Sequence, residues 1–152
     1  PLFFFKPKPA YAILSGLVGS EMCIRDRHCH AIHATALACH DRGIPPFHYM
    51  TAVAGGDDIR CAPYATFGTS ELSAYTVQAL QDRQACLLAH HGLVSLGRDL
   101  DQALKIAVEV ETLAQMYLQA LQLGEPPLLS VSQMEEVHRQ FRGLGYGQAS
   151  NN

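Results

Sequence analysis

Hydrophobic and polar positions show no usable period over residues 1–27, which open on Phe3, Phe4 and Phe5, and become regular only afterwards. His28-Cys29-His30 reads as a strand end or loop, and 32–42 is helical in character. It closes at Gly43, a residue suited to the left-handed position after a helix. Pro45-Pro46 imposes an extended path. Residues 47–53 have strand-like bulk and end in the turn cluster Gly55-Gly56-Asp57-Asp58. Thr69 or Ser70 can cap a helix to about Gln81 that packs through Leu72, Tyr75, Val77 and Leu80.

The second half is more regular. Residues 85–89 and 93–96 are short apolar runs separated by His90-His91-Gly92, which predicts two strands joined at a tight, histidine-bearing bend. Asp99 with Gln102 suits a capping box for the longest helix, 100–123. Its apolar positions Leu100, Ala103, Leu104, Ala107, Val108, Leu113, Ala114, Tyr117 and Leu121 follow helical spacing. Gly124 and Pro126-Pro127 stop it. Ser132 with Glu135 starts a last short helix to about Arg142, and 143–152 is a loose tail. Helices alternating with short apolar strands predict an α/β or α+β class, with helices packed on a sheet.

Composition narrows this picture. The 152 residues, 48% hydrophobic and 16% charged, are one domain's worth of ordinary globular chain. No apolar run approaches the ~20 residues of a membrane span. A net charge of −3 gives no general attraction to nucleic acid or anionic membranes, so neither is expected as a partner. Cys23, Cys29, Cys39, Cys61 and Cys86 form no C-x-x-C pair, which argues against a disulfide scaffold or thiolate zinc site and for a reducing cytoplasm.

The leading segment is expected to be foreign to the rest. Lys6 and Lys8 precede the apolar stretch 10–18 as in a signal peptide, but three phenylalanines come before them and Glu21, Arg25, Asp26 and Arg27 crowd the cleavage region. LVGSEMCIRDR (17–27) instead resembles an in-frame translation of a transposase-type sequencing adapter. KPKPAYAI (6–13) resembles a translated flow-cell primer, differing at Pro7, Pro9 and Ala12 by single A-to-C changes. Residues 1–27 are therefore set aside as a non-native segment that should add no central strand, and 28–152 are read as the biological domain. That domain carries 7 basic and 12 acidic residues, a net charge of −5.

All eight histidines lie in that domain. His28 and His30, two apart on extended chain, point to one side and can share a metal ion. His91 beside Gly92 is the natural third nitrogen of a catalytic-type zinc site with one open position. Spacing alone leaves this open against unrelated histidines, because the composition gives about 0.5 H-x-H pairs by chance. Isolated His48 and His138 read as surface or hydrogen-bonded residues. Gly55 and Gly56 lack the rest of a phosphate loop. Glu109 and Glu111, two apart on a helix, do not share a face as an acid/base pair would. Ser70, Ser73 and Ser95 have no nucleophile-elbow context.

Longer strings decide between these readings. H-x-H-x-x-H-A-T-A (28–36), I-P-P-F-H-Y-M (44–50), A-G-G-D-D-I-R-C-A-P-Y-A-T-F-G-T (54–69), L-L-A-H-H-G-L (87–93) and A-V-E-V-E-T-L-A (107–114) resemble, in order and spacing, the class II aldolase/adducin family. Within that family the middle strings are similar to the branch acting on L-fuculose 1-phosphate. The resemblance implies the C-terminal portion of an αβα-layered domain with a central, mainly antiparallel sheet flanked by helices. It implies a zinc-dependent aldehyde-lyase that cleaves a ketose 1-phosphate to dihydroxyacetone phosphate and an aldehyde. It also implies His28, His30 and His91 as zinc ligands, Tyr49 as a catalytic tyrosine reaching a neighbouring subunit's site, and Tyr146 as a second, mobile one. A cytoplasmic homotetramer follows from the same source, with Tyr49 near the protomer surface. Two extra residues between Phe141 and Tyr146 depart from the family pattern. The family's phosphate-binding loops and its acid/base glutamate belong upstream of the H-x-H strand, so 28–152 alone is expected to be inactive. Alternatives are a pentulose-5-phosphate 4-epimerase or sugar-phosphate dehydratase of the same fold, and a non-catalytic adducin-like scaffold.

Overall fold

The structure is a computed structural model that describes residues 25–144. Its elements are β1 (Arg25–Cys29), α1 (Ile32–Ala38), a 3-10 helix (Tyr49–Ala54), β2 (Arg60–Ala62), α2 (Ser70–Ala79), β3 (Ala85–Leu88), β4 (Gly92–Gly97), α3 (Leu100–Leu121) and α4 (Val131–Gly143). The four strands form one sheet in the order β1-β4-β3-β2. β1 and β3 run antiparallel to β4, and β2 runs parallel to β3. The sheet is mainly antiparallel, as expected.

Alternation along the strands splits the core between two faces. Ala85, Leu87 and Leu93 join α1 and α3 in one apolar cluster with Val110, Leu113 and Tyr117. Cys86, Leu88, Val94 and Leu96 join Ala79 and Leu80 at the end of α2 in the other. Helices therefore cover both faces, giving the αβα layering. Among the described residues no helix is long and apolar enough to cross a membrane.

Several local expectations need correction. Helix α1 stops at Ala38, and the left-handed residue after it is Asp41 (φ 52°), not Gly43. Gly43 is needed for closeness instead, since a Cβ there would lie 2.5 Å from the Ile59 carbonyl oxygen. The stretch expected as a strand at 47–53 is the 3-10 helix, capped by His48, whose ring accepts from the Met50 amide at 3.3 Å. β2 was not foreseen. Asp99 caps α3, but the Gln102 side chain accepts from the Arg98 amide rather than closing a box on Asp99. The box of α4 is Ser130 with Gln133, not Ser132 with Glu135.

The boundary expected after residue 27 falls inside β1. Arg25, Asp26 and Arg27 lie opposite Gly97, Leu96 and Ser95, in the end strand of the sheet among the described residues. Main-chain ladder bonds are indifferent to side-chain identity, but burial is not. Arg27 Nε is buried without a hydrogen-bond partner among the described residues, a costly arrangement for a guanidinium. The rest of the leading segment, 1–24, lies outside the described residues.

Candidate metal centre

Three elements deliver the histidines. His28 pairs with Val94 inside the β1–β4 ladder, which places it on the sheet face of Val94 and Leu96. His30 follows the strand directly. His91 sits on the bend between β3 and β4, where His90 takes the left-handed conformation (φ 54°) and Gly92 begins β4. Gly92 has no room for a side chain, because a Cβ would stand 2.5 Å from the Cys29 carbonyl oxygen and 3.0 Å from His30 Cδ2. The bend thus packs on the end of the H-x-H strand, and the three rings meet.

Their centroids are 5.0 Å (His28–His30), 4.7 Å (His28–His91) and 5.4 Å (His30–His91) apart. One nitrogen of each lies within 4.8 Å of the others. His28 Nδ1 is 3.0 Å from the Leu93 carbonyl oxygen. A carbonyl only accepts, so Nδ1 carries the proton and Nε2 presents a lone pair. That Nε2 is 3.2 Å from His30 Nε2. Nitrogens about 2.0–2.1 Å from a tetrahedral zinc are themselves about 3.3–3.4 Å apart. The donor set of three imidazoles therefore fits a divalent metal of the zinc type. Burial first, then the neighbouring His30, pushes His28 toward the neutral form against the opposing Leu93 carbonyl and Asp26. Burial, His28 and His30 do the same for His91. Neutral imidazole is the form that ligates.

Tyr49, the other described residue of the expected site, is elsewhere. Tyr49 starts the 3-10 helix at the surface, 49% exposed, and its aromatic neighbours are His48 and Phe141 rather than the three histidines. Tyr146 lies outside the described residues. His138 Nε2 donates a 2.8 Å hydrogen bond to Asp57 Oδ1. Sequence reasoning missed the Leu93 carbonyl, which carries no side-chain signal. It also missed Glu111, whose Oε1 and Oε2 accept from the His33 and Ala34 amides. The available signal was the start of α1, where Ala31 offers no capping side chain.

The family described as "Class II Aldolase and Adducin N-terminal domain" matches residues 27–118. The chain belongs to the class II aldolase and adducin family. Among its relatives in that family is a 5-methylthioribulose-1-phosphate/5-deoxyribulose-1-phosphate aldolase of Rhodospirillum rubrum, 53% identical over 118 residues, which are 78% of this chain and 53% of that protein. An L-fuculose phosphate aldolase of Escherichia coli K12 is 50% identical over 119 residues, 78% of this chain and 55% of that protein. A solved L-fuculose 1-phosphate aldolase superposes with a TM-score of 0.81 at 38% identity, over 88% of this chain and 62% of that one. The chain thus spans about half the length of the relatives it matches. The sheet and its flanking helices are those of a class II aldolase.

Proposed function

We propose that this chain is part of a zinc-dependent class II aldolase that splits a ketose 1-phosphate between C3 and C4. The observation that carries this is the convergence of His28, His30 and His91 from strand and bend, with ligating nitrogens within 4.8 Å, in a chain similar to sugar-phosphate aldolases. A metal held there would supply Lewis-acid polarisation of the substrate's carbonyl. The three imidazoles would hold it through lone pairs, and the Leu93 carbonyl fixes the tautomer of His28. Tyr49, presented at the surface, is assigned to protonate or orient substrate in a neighbouring subunit of a homotetramer, and Tyr146 to a second such role. A scaffold without chemistry would not need three converging imidazoles, which favours the enzyme over the adducin-like alternative.

Cleavage at C3–C4 of any ketose 1-phosphate releases dihydroxyacetone phosphate, and only the aldehyde differs. L-Fuculose 1-phosphate leaves L-lactaldehyde, whereas a 5-substituted ribulose 1-phosphate leaves a two-carbon aldehyde bearing the substituent. The test is to load the full-length protein with zinc and offer L-fuculose, 5-deoxyribulose and 5-methylthioribulose 1-phosphates beside a pentulose 5-phosphate. Release of dihydroxyacetone phosphate, abolished by chelation, is the expected result. Epimerisation of the 5-phosphate without cleavage of any 1-phosphate would overturn the proposal.

A further inference from the structure

Helix α1 begins directly after the H-x-H strand, and its N-terminus is braced from outside. Its N-cap, Ala31, has no side-chain acceptor, so the first amides of the helix lack a local partner. Glu111, on α3, supplies one. Its Oε1 accepts from the His33 amide at 2.9 Å and from His33 Nδ1 at 2.8 Å, and its Oε2 accepts from the Ala34 amide at 2.9 Å. The carboxylate is 27% exposed. Burial opposes its ionisation, but the two amides and the His33 ring outweigh that and hold it below the usual glutamate range. A negative charge at a helix N-terminus is also favoured by the helix dipole.

The His30 ring has fewer fixed contacts than that of His28. His28 is fixed by the ladder at Val94 and by the Leu93 carbonyl. The hydrogen-bond partner of the His30 ring among the described residues is His28 Nε2. Its main chain stands between the last rung of the ladder, Cys29 opposite Leu93, and the N-cap Ala31. Consecutive Cα atoms are about 3.8 Å apart, so fixing α1 from residue 33 leaves little freedom at residue 30. We infer that Glu111 is a positioning residue for the metal centre: by bracing the first turn of α1 against α3, it sets where the His30 imidazole stands relative to His28 and His91. The inference rests on the reading of those three histidines as metal ligands.

The test measures zinc affinity by chelator competition and the visible spectrum of the cobalt(II)-loaded chain, using the full chain. Circular dichroism verifies that each metal-free variant is folded at the temperature used. Glu111→Gln keeps shape but offers one acceptor oxygen in place of two. It should weaken zinc binding by about tenfold or more and alter the cobalt spectrum. Tyr117→Phe, on the same helix, breaks the hydrogen bond from Arg42 and should lower stability while leaving affinity and spectrum as in the wild type. Glu111→Asp, which keeps the charge but sets it back by one methylene, decides the question if the glutamine variant does not fold. A folded Glu111 variant with lowered thermal stability but wild-type affinity and spectrum would make the residue a helix cap only and overturn the inference. Failure of the wild-type chain to bind zinc would overturn the metal reading itself, and this inference with it.

Discussion

Gly92→Ala is a small change that reaches the candidate metal centre without touching a histidine. Gly92 is buried at the start of β4, opposite Leu88, and its φ is not in the left-handed region, so an alanine is refused by space and not by backbone strain. The new methyl would lie 2.5 Å from the Cys29 carbonyl oxygen, against the 3.4 Å at which ordinary contact begins, a shortfall of 0.9 Å. That oxygen is main chain and cannot rotate aside. Relief requires either the end of β1 to leave β4 or the bend to tilt, and each displaces His30 relative to His91. Overpacking of this kind costs about 1–3 kcal/mol. A displacement approaching the shortfall also exceeds the ~0.5 Å within which a site must be held, so zinc affinity should fall by about tenfold or more. Urea denaturation of the metal-free and zinc-saturated chain separates the two effects. The variant should unfold at lower urea without metal. With free zinc in excess over both dissociation constants, its gain from zinc should be smaller by about 1.4 kcal/mol per tenfold loss of affinity. Wild-type midpoints in both conditions would show that the bend does not pack on Cys29 and His30 as described.

Two further outcomes follow from the titrating groups. Glu111 has a folded pKa depressed below its unfolded value of about 4.3, so its stabilisation is present above that value and lost as pH falls through the folded one. The stability gap between the metal-free wild type and Glu111→Gln should therefore narrow on acidification below about pH 4.3; urea midpoints showing a constant gap down to acid unfolding would contradict this. Burial pushes the Cys61 thiol up to about 11 and the Cys86 thiol up to about 12, whereas Cys39 is exposed. A disulfide reagent near pH 8 should label Cys39 well before either, and rapid labelling of native Cys86 would contradict its burial.

What the sequence disclosed, and what it hid, has physical reasons. The β3–β4 pair was legible because two short apolar runs flank a glycine-bearing bend, and the H-x-H spacing already placed His28 and His30 on one side. The phase of α3 was only partly legible. Leu100, Leu104 and Val108 fit helical spacing yet are exposed, while Ile106 and Val110 are buried. Leucine and valine at neighbouring angles give a broad apolar arc, and the part that faces the sheet is chosen by packing. The segment 47–53 has strand-like bulk, but His48 caps a 3-10 turn through a local side-chain hydrogen bond that competes with extended structure. β2 is three residues long and too short to show alternation. The amide partners of Glu111 lie 78 and 77 residues away, which no local pattern announces. The pairing of Arg25 to Arg27 with β4 was invisible for a similar reason, since it uses main-chain groups that every residue except proline has.

The central claim is that His28, His30 and His91 together hold one divalent metal ion. It is tested most directly by the zinc content of the full-length protein after dialysis against metal-free buffer, measured beside His91→Ala. The account predicts about one zinc per chain in the wild type, as for any single three-histidine site, and loss of most of it in the variant while the circular dichroism spectrum stays folded. Absence of bound metal from the folded wild type, or full retention by His91→Ala, would contradict it.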